Sequence, residues 1–373
     1  MAHPFSGKAF ASNLMNCSVA LAVASCSQCP DNTGWMDVVA PLLAAERMRY
    51  WNIGANKGYN VNEWLLRHAA GWKTTNGQWH KHLQEKTATP FTCGACRACL
   101  APPPRVAPKR ATSASVLAVE LLNSTYNGLL GAFSRFGVPG EVVHAACADR
   151  VGEAREPVGI DAGTESRGIS KGGVRVPQTT VDALWAARPG GGEGVSILSV
   201  DTEGWDPLVL RGAASLLQQR LVGVLEFEYH VVGPWATTDL REVLGWLRQT
   251  GGYHCYWQSN CAPRLKTHSN MIRAAPVQRP AFVVPRAARS TLPAHRADGV
   301  LAPALTEPEC QFPRSWSNMV CASAPELRAA LDGLTRGVSL DMLDDCAATA
   351  GGKHLVNAAK KRVHANHSAL GLL

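Results

Sequence analysis

VSILSVDTEGWDPLVLRGA, residues 195–213, is the stretch that decides the fold. Val195 to Val200 form a short apolar, β-branched run, the length of a buried parallel strand, and lead directly into Asp201, Glu203 and Gly204. A helix start follows. Asp206 is placed to cap the free N–H groups of the first turn, and Pro207 sits where a missing N–H costs nothing. Leu208, Leu210, Ala213, Leu216 and Leu217 then recur at helical spacing. In open α/β sheets ligands bind at the carboxyl ends of the strands, so Asp201 and Glu203 are candidates for chemistry; the plain alternative is that they cap and solvate a loop.

Working outward, the same rhythm recurs. Met48–Ala55 reads as a strand, Asn56-Lys57-Gly58 as a turn, and Tyr59–Ala70 as a helix. A strand that meets a glycine turn and then a helix presents backbone N–H groups to a ligand, and Gly54 and Gly58 allow close approach. Ser115–Glu120 is a strand ending on an acid, Asn123–Phe136 a helix, and Glu141–Ala148 a third strand closing at Asp149. Downstream, Leu221–His230 is a strand, Asp239–Thr250 an amphipathic helix, and Tyr253–Gln258 and Ser317–Ala322 are strands. This alternation predicts an α/β fold, a doubly wound, mostly parallel sheet with an antiparallel edge strand.

The expected organisation is a leader or lid over 1–45, with a helix near Trp35 to Arg47, and a core over 46–260. A Cys-rich insertion at 71–112 interrupts that core. A Pro/Arg/Ala-rich insertion over 261–312 has no clear period, and a last strand, a helix and a basic tail fill 313–373.

A hydrophobic fraction of 46% is enough to bury such a core. The net charge of +8 resides mainly in Ala/Pro/Arg-rich loops and the tail, with few aromatics interleaved, so no nucleic-acid partner is expected. The body of the chain holds no apolar run of the roughly 20 residues that span a bilayer. Lys8 precedes the apolar patch Val19–Ala24, which leaves secretory entry and a cytoplasmic location both open. Among 12 cysteines, Cys26-x-x-Cys29 and Cys93-x-x-Cys96-x-x-Cys99 supply enough thiols for one structural zinc, and they fit disulfides equally well. Either role is structural, since nothing in the sequence places them at the sheet's carboxyl edge.

A dinucleotide-binding dehydrogenase would need Gly-x-Gly-x-x-Gly after the first strand, and the chain has Gly54-Ala55-Asn56-Lys57-Gly58. NIGANKG (52–58), Glu120, TTVDAL (179–184), SVDTEGWDPLVLRGA (199–213) and VLEFEYH (224–230) together resemble the FkbM-type family of S-adenosylmethionine-dependent methyltransferases. Algal-type members also carry a Cys-rich insert, and WSNMVCA (316–322) is similar to their final strand.

The resemblance implies a Rossmann-like methyltransferase fold and S-adenosylmethionine as cofactor. It implies that Asn52, Gly54, Asn56 and Gly58 surround the cofactor's amino-acid part, that Glu120 receives the ribose hydroxyls, that Asp149 lies near the adenine, and that Asp201 sits beside the methionine end. It also implies O-methylation of a small-molecule or glycan acceptor, a hydroxyl on a sugar or natural product. Asp201, Glu203 and His230 are the candidate bases, all expected at strand ends. Two positions depart from the pattern: Asn52 stands where the family usually has Asp, and Ser199 where it often has Lys. They raise a second reading, a degenerate, non-catalytic fold acting as a Cys-rich binding or interaction module.

Overall fold

A computed structural model describes residues 34–43, 47–86, 91–94, 98–100, 111–165, 168–188, 193–229, 232–259, 270–274 and 317–332. In chain order the strands are β1 (Arg47–Ile53), β2 (Ser113–Glu120), β3 (Gly140–His144), β4 (Ala146–Cys147), β5 (Gly152–Glu156) and β6 (Val174–Thr179), then β7 (Val195–Val200), β8 (Val222–Tyr229), β9 (His254–Ser259), β10 (Asn270–Ala274) and β11 (Ser317–Ala322). The helices are α1 (Gly34–Val39), α2 (Tyr59–His68), α3 (Asn76–Lys86), α4 (Asn123–Phe136) and α5 (Val181–Ala186), then α6 (Asp206–Arg211), α7 (Ala214–Gln218), α8 (Leu240–Gly251) and α9 (Pro325–Asp332).

The chain divides into two compact units. One comprises Asp37–Glu228 and Val232–Ala236. Its main sheet runs β8-β7-β1-β2-β3 with every pairing parallel. Ile53, Ala118, Ile197, Leu198, Val224 and Leu225 are fully buried, as expected of parallel strands covered on both faces. The strand order reverses at β1, which makes the carboxyl ends of β1 and β7 the switch point where a doubly wound sheet opens a crevice. A second sheet, β4-β6-β5, has its own small core of Ala146, Ala154 and Val176.

In the other unit β9 lies between β10 and β11, with both pairings antiparallel. Cys255 and Cys321 are register partners there and form a disulfide. The architecture is therefore the expected mixed α/β one, a mostly parallel sheet with antiparallel strands.

Several boundaries differ from the sequence reading. Glu141–Ala148 is not one strand: β3 pairs with β2, the chain breaks at Ala145, and β4 pairs with β6 in the second sheet. Val142 and Val143 are half-buried and Ala145 to Ala148 buried, yet the apolar run passes through both halves unbroken, so pattern alone gives no break. The helix after Gly204 is two helices. Gly212 presses against Ala148, where an added Cβ would lie 2.1 Å from the Ala148 carbonyl oxygen, and the Asp182 carboxylate accepts from the N–H groups of Ser215 and Leu216 to start α7. The insertion at 71–112 contributes α3, whose Trp79 stacks on Phe136 of α4 at 5.4 Å. β10 falls inside the stretch expected to be without structure. Most of the leader, most of 261–312 and the basic tail lie outside the described residues. Among the described residues no helix is long and apolar enough to cross a membrane.

Candidate active site at the carboxyl ends of the strands

Three parallel strands set the geometry. Asn52 of β1 is the register partner of Ser199 of β7, which is the partner of Glu226 of β8. Side chains alternate along a strand, so Gly54, Asp201 and Glu228, two residues further on, continue the same face at the strand ends. Asp201 extends the ladder by donating its N–H to the Ile53 carbonyl oxygen at 2.9 Å.

Gly54 is required at its position twice over. Its φ is 85°, and an added Cβ would lie 1.8 Å from the carbonyl oxygen of Asp201. Gly58, with φ 74°, precedes α2, and a Cβ there would meet Leu129 at 2.5 Å. Between them Asn56 has φ 44°, a left-handed conformation that Asn tolerates better than most residues. Its N–H donates to Glu120 Oε2 at 2.8 Å. Glu120 Oε1 accepts from the Leu122 N–H, also at 2.8 Å. One buried carboxylate thus ties the turn after β1 to the turn after β2. Burial raises the Glu120 pKa to about 7 against these hydrogen bonds.

The acids at the ends of β7 and β8 form a second group. The Asp201 and Glu228 carboxyls hydrogen-bond to each other. Burial, and then the Asp206 carboxylate, push Asp201 up to about 7; burial and then Asp201 hold Glu228 well above the usual carboxylate range. Asp206 is fully buried, and its Oδ1 accepts the Glu228 N–H at 3.2 Å. It is therefore not the expected cap: Trp205 holds the N-cap position of α6, and the carboxylate of Asp206 turns toward β8.

Glu203 is half-buried at φ 54°, and Gly204 follows at φ 95° beneath the Val232 carbonyl. A non-glycine residue in that conformation carries backbone strain of the kind found at functional loops.

The candidates Asn52, Gly54, Asn56, Gly58, Glu120, Asp201 and Glu203 all lie at the ends of β1, β2 and β7. Asn52 is 1% exposed, and its Oδ1 has no hydrogen-bond partner among the described residues. The negative charge missing from β1 is present on β8 instead, where Glu226 accepts from the Ser199 hydroxyl at 3.0 Å. Asp149 follows β4, half-buried, on the other sheet. His230 lies outside the described residues.

Glu228 was missed as a site residue, although the alternation in LEFEYH places Glu226 and Glu228 on one face. Lys57 was also missed. It is 3% exposed and donates to the Gly163 carbonyl at 2.9 Å and to Glu165 at 2.7 Å.

Of the two roles open to the cysteines, Cys93 and Cys99 take the disulfide, with Cα atoms 5.3 Å apart, so neither thiolate is available for zinc; Cys26, Cys29 and Cys96 lie outside the described residues. No group of side chains able to hold a metal ion occurs among the described residues. Nor is the insertion remote from the site. Gly94 packs on Glu165, where an added Cβ would lie 2.0 Å from Oε1, and Glu165 is the anion that partners Lys57 and raises Asp201.

Residues 92–255 match the family model of the methyltransferase FkbM domain. The match begins inside the insertion and includes Glu120, Asp149, Asp201 and Glu203, while the Gly54–Gly58 turn lies before it. No curated protein matches the chain. With glycine turn, buried acid and strand-end acids at the switch point of a doubly wound sheet, residues 92–255 are similar to the FkbM methyltransferase domain.

Proposed function

We propose that this chain transfers a methyl group from S-adenosylmethionine to a hydroxyl of a sugar, glycan or natural product. The observation that carries the reading is the bond from the Asn56 N–H to Glu120, which joins the glycine turn and the buried acid into one cradle beside Asp201.

The residues fit the cofactor. Each Glu120 oxygen accepts one backbone N–H and keeps a second lone pair for a ribose hydroxyl. Gly54 and Gly58 keep the backbone bare, and the buried Oδ1 of Asn52 is left to accept a donor such as an ammonium group. Asp149 would serve the adenine edge. When bound, S-adenosylmethionine supplies an electrophilic methyl carried on a sulfonium.

The chain's own task is then to align an acceptor oxygen and take its proton. Asp201 suits that task, because a carboxyl poised near 7 accepts a proton at neutral pH more readily than an ordinary carboxylate. Glu228 tunes it through its hydrogen bond to Asp201, and Glu203 and His230 are the further candidate bases. The match of residues 92–255 to the methyltransferase FkbM model favours the enzyme over a non-catalytic module.

Calorimetry with S-adenosylmethionine tests the first half of this reading, and no detectable heat at millimolar cofactor overturns it. Screening labelled methyl transfer into glycan, lipid and small-molecule extracts tests the second half. Label appearing only on nitrogen or carbon would refute O-methylation.

A further inference from the structure

Trp205, at the end of the Asp201–Glu203 loop, forms one wall of a cavity of about 330 Å³ over the β5–β6 hairpin. Three arginines line it, Arg150, Arg155 and Arg175, against one carboxylate, Glu153. Glu153 is already paired with Arg175 at 3.3 Å. Arg155 donates one N–H to the Gly173 carbonyl at 2.8 Å and stands directly opposite Arg175 in the β5–β6 register. Like charges facing each other across a strand pair are destabilising, and no carboxylate of the lining answers Arg150 or Arg155. A guanidinium offers five donors in a planar fork that matches carboxylate and sulfate oxygens. The indole is held in place, since a Cβ on Gly168 would lie 2.7 Å from it. A flat apolar face beside fixed polar donors suits a sugar ring, with its C–H face on the indole and its hydroxyl edge on the donors.

We infer that this cavity binds an acidic saccharide as the methyl acceptor, with its carboxylate or sulfate ester held by Arg150 and Arg155 and its ring against Trp205. The inference rests on the proposed methyl transfer, because Trp205 continues the loop that carries Asp201 and Glu203.

The test is calorimetry on the full chain saturated with S-adenosylhomocysteine, using a glucuronate-containing disaccharide, a sulfated disaccharide and their neutral counterpart. At least one acidic sugar is expected to bind tenfold or more tighter than the neutral one, and which of the two does so identifies the anion. The preference should weaken as salt rises and vanish in the double variant Arg150→Gln, Arg155→Gln. Arg150→Gln alone, at an exposed position, serves if the double variant does not fold. Trp205→Ala should weaken acidic and neutral sugars alike.

Equal or tighter binding of the neutral sugar, no binding of any of the three, or a preference that survives both substitutions overturns the inference. Cofactor binding is measured on the same preparation. Its loss with sugar preference intact would sink the methyltransferase reading instead, and its presence without sugar preference would sink only the cavity assignment.

Discussion

Asp201 and Glu228 end adjacent parallel strands with their carboxyls hydrogen-bonded, and the buried Asp206 carboxylate accepts the backbone N–H of Glu228 beside them. Three acids are thus crowded at the ends of two strands. Asp201→Ala is expected to lower turnover at least about 100-fold, the lower end of what a positioned base contributes. Because it relieves carboxylate repulsion, the same change should leave the melting temperature at pH 8 unchanged or higher. Activity surviving in a folded Asp201→Ala protein would remove it from the catalytic assignment.

Glu228→Leu separates tuning from chemistry. The Glu228 side chain lowers the Asp201 pKa against burial and Asp206, so its removal should make Asp201 ionise at higher pH. The acid limb of the kcat profile is expected to move up in pH while affinity for S-adenosylmethionine holds. An unmoved limb would mean that Glu228 only supports the strand end.

Glu120 offers a readout independent of turnover. Replacing a charged hydrogen-bonding partner costs about 1.5–3 kcal/mol, so Glu120→Gln should weaken cofactor binding roughly 10- to 100-fold. Unchanged affinity, measured by calorimetry, would place the ribose elsewhere.

The acids with raised pKa values also set the pH dependence of stability. Glu120, Asp201 and Asp206 are raised to about 7 from ordinary values of 4.5, 3.8 and 3.8. Between those limits the folded chain binds more protons than the unfolded chain, so stability falls as pH rises through about 7. Melting temperature should therefore decline from pH 5.5 to pH 8, with a shallower slope in Glu120→Gln. A melting temperature that climbs over this interval would contradict the assignment.

The Cys255–Cys321 bridge spans a sequence separation of 66 residues. Loop-closure entropy alone assigns such a link about 4 kcal/mol. Cys255→Ser with Cys321→Ser should lower the melting temperature by several degrees without altering cofactor affinity in the surviving folded protein.

How much of this was legible depended on whether a residue's role was local. Val195–Val200 and Asn123–Phe136 were read with the bounds they have, because periodicity and flanking glycines define them without tertiary help. The acid ending β2 and the glycine turn after β1 were legible for the same reason. The split of Glu141–Ala148 was not, since one continuous apolar run supplies strands to two sheets. Asp206 looked like a cap because Asp before Pro usually is one; only the neighbouring β8 turns its carboxylate inward. Lys57 gave no signal at all, as its partner Glu165 is 108 residues away.

The Cys93–Cys99 bridge bears on how the protein is to be handled. It closes a segment whose Gly94 rests on Glu165, which in turn holds Lys57 within the glycine turn after β1. Recombinant material from a reducing bacterial cytosol carries two thiols in place of that bridge, and its weakness or inactivity would report on oxidation state rather than on catalytic residues. Export to an oxidising compartment, or refolding with a glutathione couple, is the preparation on which any negative activity screen has to rest.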